Sequence, residues 1–396
     1  MNKKNRSLDL KMKVISNAVR VLRKSPDIVQ EKTIPLRIKY QFKKAERYFL
    51  DQSVIKKRSS EFQNEVISFW EKHLGIRINP AWHFIYANFT GKEDVRFLPK
   101  RVWLDHIHST LNNPSYLNPV YQDKNFTDFI IDKKYLPKTV FKVVRGRFYD
   151  DGNSTIDQNK AFWRLLSDEE DKILKLSKGF KGIGVRKLVV QGKNVYLDEK
   201  EITADELMDI TGEDAIVQYK VKQLSSLEEV HSSSLNTVRI HTIRLQNKIH
   251  TLSSLLKFGG NRDIADNTNN GYLRGVNEDG TLGAVTYDRK LSPVERHGTT
   301  GFAFQELKKI PAFEEALLLC KKTHEQIIHL DFAGWDVAFT KDGKPLIIEV
   351  NSNPTVEVFQ LVNHRPMFGD FTEEVLHFAR DRDALSRQRS SLSLLK

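Results

Sequence analysis

Cysteine is nearly absent. Cys320 is the single one in 396 residues, so no disulfide can form within the chain, and no Cys/His spacing suggests a zinc site. A reducing, cytoplasmic setting is the expectation. Long apolar runs are missing too: nothing approaches the roughly 20 residues that cross a bilayer as a helix. The start, Met1-Asn2-Lys3-Lys4-Asn5-Arg6, leads into mixed polar sequence instead of an apolar signal core. This predicts neither an export signal nor a membrane anchor. The glycine patterns of a Walker loop, or of a dinucleotide fold opening a helix, do not occur. No Ser/His/Asp or Cys/His arrangement offers a protein nucleophile. No recognition helix, zinc finger or aromatic-basic pattern speaks for specific nucleic-acid binding, and there is no internal repeat.

What is present in excess is positive charge: 63 Lys and Arg against 51 Asp and Glu, a net +12. Such a balance attracts nucleic acid or anionic membrane. Most of the surplus precedes Gly75, in sequence with helical spacing at 8–25, 35–54 and from Ser59 to Leu74-Gly75, where the glycine marks a stop. These basic amphipathic helices suit either a solvated appendage or a peripheral contact with an anionic membrane face. From Asn79 to Pro119 the pattern is aromatic and irregular. His106 and His108 would share a face if extended, but no third metal ligand is suggested nearby.

The informative stretch is Gly334 to Pro354. Apolar residues alternate on either side of Lys341-Asp342-Gly343-Lys344, which predicts a hairpin. Trp335, Val337 and Phe339 share one face and Asp336 takes the other; Leu346, Ile348 and Val350 share a face, leaving Glu349 and Asn351 opposite. If both apolar faces lie on one core, two carboxylates and an amide oxygen converge, a donor set that suits Mg²⁺ with phosphate and water. The same alternation also fits a hairpin whose polar face is simply wet.

Other stretches add to this. Lys172 to Val190 is expected as strand, glycine-rich loop, strand, with Lys175 on the incoming strand, Lys178 and Lys181 in the loop, and Gly179, Gly182 and Gly184 allowing close approach to phosphate oxygens. A plain lysine-rich turn fits the same residues. Asp214 to Gln223 is expected as a strand with an exit. Thr237 to Arg244 alternates so that Arg239 and His241 share a face, costly in a core and useful in a cleft that meets anions. Residues 259–275 form a polar loop, Asp279-Gly280 a hairpin turn, and Phe313, Ala316, Leu317, Leu319 and Cys320 one face of a helix. A last helix follows Phe371 and runs into a tail.

In this order the motifs resemble an ATP-grasp domain, and within that superfamily the sugar-transfer-associated group found with polysaccharide biosynthesis. The resemblance covers roughly Tyr121 to Pro354. It rests on Asn236-Thr237-x-Arg239, the Asp266-Asn267 loop, Gly334-Trp335-Asp336 and Ile348-Glu349-Val350-Asn351 as a set. It implies an α+β fold in which two subdomains clasp ATP. The expected division is a basic, mostly helical region over 1–115, the ATP-grasp domain over 116–380, and a tail over 381–396.

Carried over by position, Lys175 meets the nucleotide phosphates and Ser177 to Gly184 is the phosphate loop. Gln218, Tyr219 and Val221 lie on the strand that holds adenine through its backbone. Arg239 lies over the transferred phosphate, and Asp336, Glu349 and Asn351 hold Mg²⁺. Asn236, His241, Asp266, Asn267 and Arg274 fall on the substrate side. The chain departs from the family pattern at Asn270-Gly271, where two glycines are usual, and at Leu176, where proline is common. The implied activity is an ADP-forming carboxylate-amine ligase that joins an amino acid or amine to a sugar acid or similar acceptor. The alternatives are an ATP-grasp phosphotransferase, and a basic nucleic-acid or membrane binder with a vestigial nucleotide fold.

Overall fold

The computed structural model describes residues 58–112, 118–179, 184–261 and 271–393. The chain divides into two compact units, Met1–Arg58 and Ser59–Lys396, and both sheets belong to the second. The helical expectations for 8–25 and 35–54 lie outside the described residues. The boundary expected near 115 is displaced: residues from Ser59 onward belong to the same unit as the sheets. Nor is the 79–119 stretch irregular. It holds a helix Ala81–Thr90 and a helical run from Lys100 to Leu111 with a π-type middle turn at Trp103–Ile107.

Eight antiparallel strands form the first sheet: β1 (Thr139–Val144), β2 (Arg147–Tyr149), β3 (Thr155–Ile156), β4 (Lys172–Leu176), β5 (Arg186–Gln191), β6 (Asn194–Leu197), β7 (Lys200–Ile202) and β8 (Asp214–Tyr219). Their spatial order is β3-β2-β1-β8-β4-β5-β6-β7. On one face Phe141, Leu174, Leu188 and Val217 pack with Ala161 and Leu165 of the helix Gln158–Leu165. That helix starts where the Asp157 carboxylate accepts from the Lys160 N–H at 2.7 Å. Strand alternation turns Lys175 and Gln218 to the opposite face.

The second sheet has seven strands: β9 (Thr237–Leu245), β10 (Lys248–Phe258), β11 (Tyr272–Val276), β12 (Leu282–Asp288), β13 (Pro293–Val294), β14 (Phe332–Phe339) and β15 (Pro345–Asn351). Their order is β13-β12-β11-β10-β9-β14-β15. Val238, Ile240, Trp335, Val337, Ile347 and Val350 make the core face, packed on Phe313, Ala316, Leu319 and Cys320 of the helix Phe313–Gln326. The hairpin of β14 and β15 is as expected, with Gly343 at φ +82° in its turn. Its second arm differs in phase. A β-bulge pairs Asp336 with Glu349 but Val337 with Ile347, so Pro345, Ile347 and Val350 are buried while Leu346 and Ile348 are half-exposed. The extra residue is Ile348, and strict alternation cannot foresee it.

Helical segments before the first sheet fasten the second. The Asn112 side chain, fully buried, donates to Phe332 O and Ser352 O (both 2.6 Å) and accepts from the N–H groups of Asp331 (3.0 Å) and Phe332 (2.9 Å). It thereby ties the head of β14 to the end of β15.

Candidate active site

Three neighbouring strands of the second sheet, β9, β14 and β15, place Arg239, Asp336 and Glu349 side by side, because Asp336 pairs directly with Arg239 on one side and Glu349 on the other. Directly opposed residues lie on one face, so this is a row of side chains across the sheet. Leu255 opposes Arg239 from β10, and Lys257, two residues on, shares its face. One residue pair along, Gly334 opposes both His241 and Asn351. Gly334 has to be glycine: a Cβ there would come within 2.9 Å of Pro354 Cβ and 3.3 Å of Arg239 Cδ.

Asp336 is held by two cations. Arg239 donates to both its oxygens, Nε to Oδ1 and Nη2 to Oδ2, each at 2.5 Å, and Lys257 Nζ lies 3.0 Å from Oδ1. Burial would raise the carboxyl's pKa, yet Arg239 and Lys257 together hold it well below the usual carboxylate range. Glu349 goes the other way. Burial raises its pKa, opposed by Lys124 and reinforced by the charge of Asp336. Among the described residues its carboxylate makes no hydrogen bond or ion pair. The Asn351 amide donates a long 3.5 Å hydrogen bond to Gly334 O.

Lysines of the first sheet's side meet this row. Lys175 on β4 is half-buried and donates to Gln218 Oε1 at 3.0 Å. Its pKa is lowered to about 8 by burial and then by Lys124, against an upward pull from Glu349. Lys124 acts on both Lys175 and Glu349, and its Nζ donates to Gly179 O at 2.9 Å. Neither Lys124 nor Lys257 stands out in the sequence. Lys124 lies in a polar run, Tyr121 to Phe126, that reads as an ordinary helix start, and Lys257 ends a strand without any motif around it.

The other expected positions divide clearly. Gly179 and Gly184 bracket the loop, with Gly184 at φ +77°, while Gly182 lies outside the described residues. Lys178 is exposed, with Nζ 3.7 Å from Asp214 and 3.9 Å from Asp123. Gln218 is paired within the sheet on both sides, the Tyr219 N–H donates to Lys138 O, and the Lys220 N–H to Asp171 O. Beyond the strand, the Val221 N–H has no hydrogen-bond partner among the described residues. The backbone open to a base is thus at Val221, and Gln218 serves instead through its side chain by orienting Lys175.

Three substrate-side expectations are corrected. Asn236 is fully buried, and its amide donates to Gln223 Oε1, Leu227 O and His231 O, so it braces the core before β9. His241 is buried against Phe332 and Phe359, ring centroids 5.3 and 4.1 Å away. Burial and the charge of Arg239 keep its imidazole neutral. The helix Glu357–Asn363, which carries Phe359, accounts for that burial. Arg274 is buried and donates to Gly283 O, Phe304 O and Leu307 O, so its guanidinium is committed to loop carbonyls. Asp266 and Asn267 lie outside the described residues.

The residues present fit a hard divalent cation. Asp336 and Glu349 oppose each other as neighbouring carboxylates, the second without a partner among the described residues and pushed toward protonation, beside the neutral oxygen of Asn351. Oxygen donors of this number and charge suit Mg²⁺ better than a softer ion.

A family model described as sugar-transfer associated ATP-grasp matches residues 105–375. Among solved structures, the chain is similar to ATP-grasp ligase PsnB complexed with minimal precursor, Mg and ADP: 14% identity, TM-score 0.37, over 68% of this chain and 62% of that one. D-cycloserine synthetase DcsG aligns at 12% identity and TM-score 0.35 over 68% and 70% of the two chains. The L-amino acid ligase from Bacillus licheniformis aligns at 14% and 0.34 over 66% and 48%. The chain therefore spans about three fifths of the length of PsnB. No curated protein matches it.

Proposed function

We propose, starting from a chain that belongs to the sugar-transfer associated ATP-grasp family, that it is an ATP-dependent, ADP-forming carboxylate-amine ligase using Mg²⁺. The observation that carries this reading is the approach of Lys175 and Lys124, from the first sheet's side, to the acidic row on the second sheet, where both interact electrostatically with Glu349. A triphosphate needs cations along its length, and a metal site needs anionic oxygens beside them. Both are within reach of one another here.

In this reading Asp336, Glu349 and Asn351 hold the metal, which when bound neutralises phosphate charge and aligns the transferred group. Lys175 and Lys124 pair with phosphate oxygens as point charges. Gln218 keeps Lys175 aimed, and the Val221 N–H offers a donor to the base. The carboxylate of the acceptor attacks the γ-phosphate to give an acylphosphate and ADP; an amine then displaces phosphate, forming the amide and losing a proton. The obstacle is repulsion between a carboxylate and a triphosphate, so charge neutralisation and alignment do most of the catalysis. Arg239 lies where charge builds during transfer, and no protein nucleophile is needed.

The acceptor we favour is a sugar acid or similar carboxylate in capsule or envelope polysaccharide assembly, in the cytoplasm; the family's description is what supports that finer choice. Hydroxylamine trapping with candidate acids and MgATP tests it. A ligase yields an acyl hydroxamate and ADP. A phosphorylated product that resists hydroxylamine assigns the chain to phosphotransfer, and no consumption of ATP with any acid removes the enzymatic reading.

A further inference from the structure

We propose that Lys257 is a charge gate at Asp336: it keeps a bare divalent cation out of the carboxylate site and yields only when the metal arrives with the nucleotide's phosphates. This rests on the metal and nucleotide reading above. A carboxylate offers about four lone-pair positions, and three of those on Asp336 already accept from cations, two from Arg239 and one from Lys257. Around the row, Lys124, Lys175, Arg239 and Lys257 confront only Asp336 and Glu349. A lone dication would enlarge a surplus of positive charge. A metal-triphosphate complex, which is net negative, would cancel it.

Of the two cations on Asp336, Lys257 is the one able to leave. Arg239 is fixed by a two-pronged contact at 2.5 Å, whereas Lys257 makes a 3.0 Å approach to a single oxygen from a flexible four-carbon stem. On loading, its ammonium turns from Asp336 to a phosphate oxygen, freeing Oδ1 for the metal. Lys257 thereby couples metal affinity to nucleotide.

The test is a Mn²⁺ titration of the whole chain followed by electron paramagnetic resonance, with and without a non-hydrolysable ATP analogue, on wild type, K257Q and K257R. Wild type and K257R should bind Mn²⁺ tightly only with the analogue present. K257Q should bind Mn²⁺ alone about tenfold more tightly than wild type, and the Mg-analogue complex about tenfold more weakly, as loss of one nearby charge requires. Tight Mn²⁺ binding by wild type without nucleotide overturns the proposal. So does a K257Q protein that matches wild type in both titrations; if wild type still binds the Mg-analogue, the ligase reading survives that result. Failure of wild type to bind the Mg-analogue at all ends both, and the wild-type titration is decisive even if K257Q folds poorly.

Discussion

Lys175 has its pKa brought down to about 8 in the nucleotide-free protein, which gives ATP binding a signed pH dependence. Below that value the ammonium is already charged and binding takes up no proton. Above it, the phosphates must draw a proton onto Lys175, so the apparent Kd should weaken by about tenfold per pH unit until the complex's own pKa is reached. Calorimetric titrations between about pH 7 and 9.5 would show the inflection, K175M should abolish it, and K124Q should move it upward by removing a neighbouring positive charge. The two carboxylates should separate under mutation. Replacing Asp336 by Ala strands Arg239 and Lys257 in a buried setting and should cost about 3 kcal/mol or more in urea unfolding. E349Q removes a carboxylate that burial already disfavours, so its Tm should be unchanged or higher while Mg-nucleotide binding is lost. A large drop in Tm for E349Q would mean that Glu349 is a structural brace.

At the level of elements, the hairpin of β14 and β15 is legible in the sequence because an Asp-Gly turn between alternating residues leaves few other options. The bulge at Ile348 is not, because apolar residues stand at Ile347 and Ile348 alike and only the pairing of Asp336 with Glu349 tells which is extra. Arg239 is found through its alternation with Val238 and Ile240. The same alternation misplaces His241, since the helix that buries it, Glu357–Asn363, has too short a pattern to be read in advance. Asn236 and Arg274 fall on the substrate side by resemblance, and only the hydrogen-bond partners reveal their bracing role. Gly334 supplies an element-level prediction. G334A would force the turn at Pro354 away from β14 and press on Arg239, at about 1–3 kcal/mol, with weaker Mg-nucleotide binding than the stability loss alone explains. Normal nucleotide affinity in a folded G334A protein would show that the close approach does not set the site.

Across the whole molecule, the compact unit that begins at Ser59 predicts where the chain can be cut. Removing residues 1–58 should leave a cooperative unfolding transition and MgATP binding intact. Removing 1–75 should not, because it deletes the helix Ser60–Leu74, whose Phe62, Val66 and Trp70 are buried and whose His73 contacts His377 of the last helix, ring centroids 5.0 Å apart. Differential scanning calorimetry of the two truncations distinguishes these outcomes. Among the described residues no helix is long and apolar enough to cross a membrane, so an anionic-surface role for the basic N-terminal sequence would rest on peripheral contact and can be read from vesicle sedimentation of the whole chain against the 59–396 form. The central claim is that cations of one sheet and carboxylates of the other serve a single nucleotide. Calorimetric titration of a non-hydrolysable MgATP analogue into wild type, K175M and E349Q tests it most directly: one site per chain, weakened in both variants, with E349Q spared when metal is withheld. Weakening in one variant alone, with the other at wild-type affinity, would contradict it.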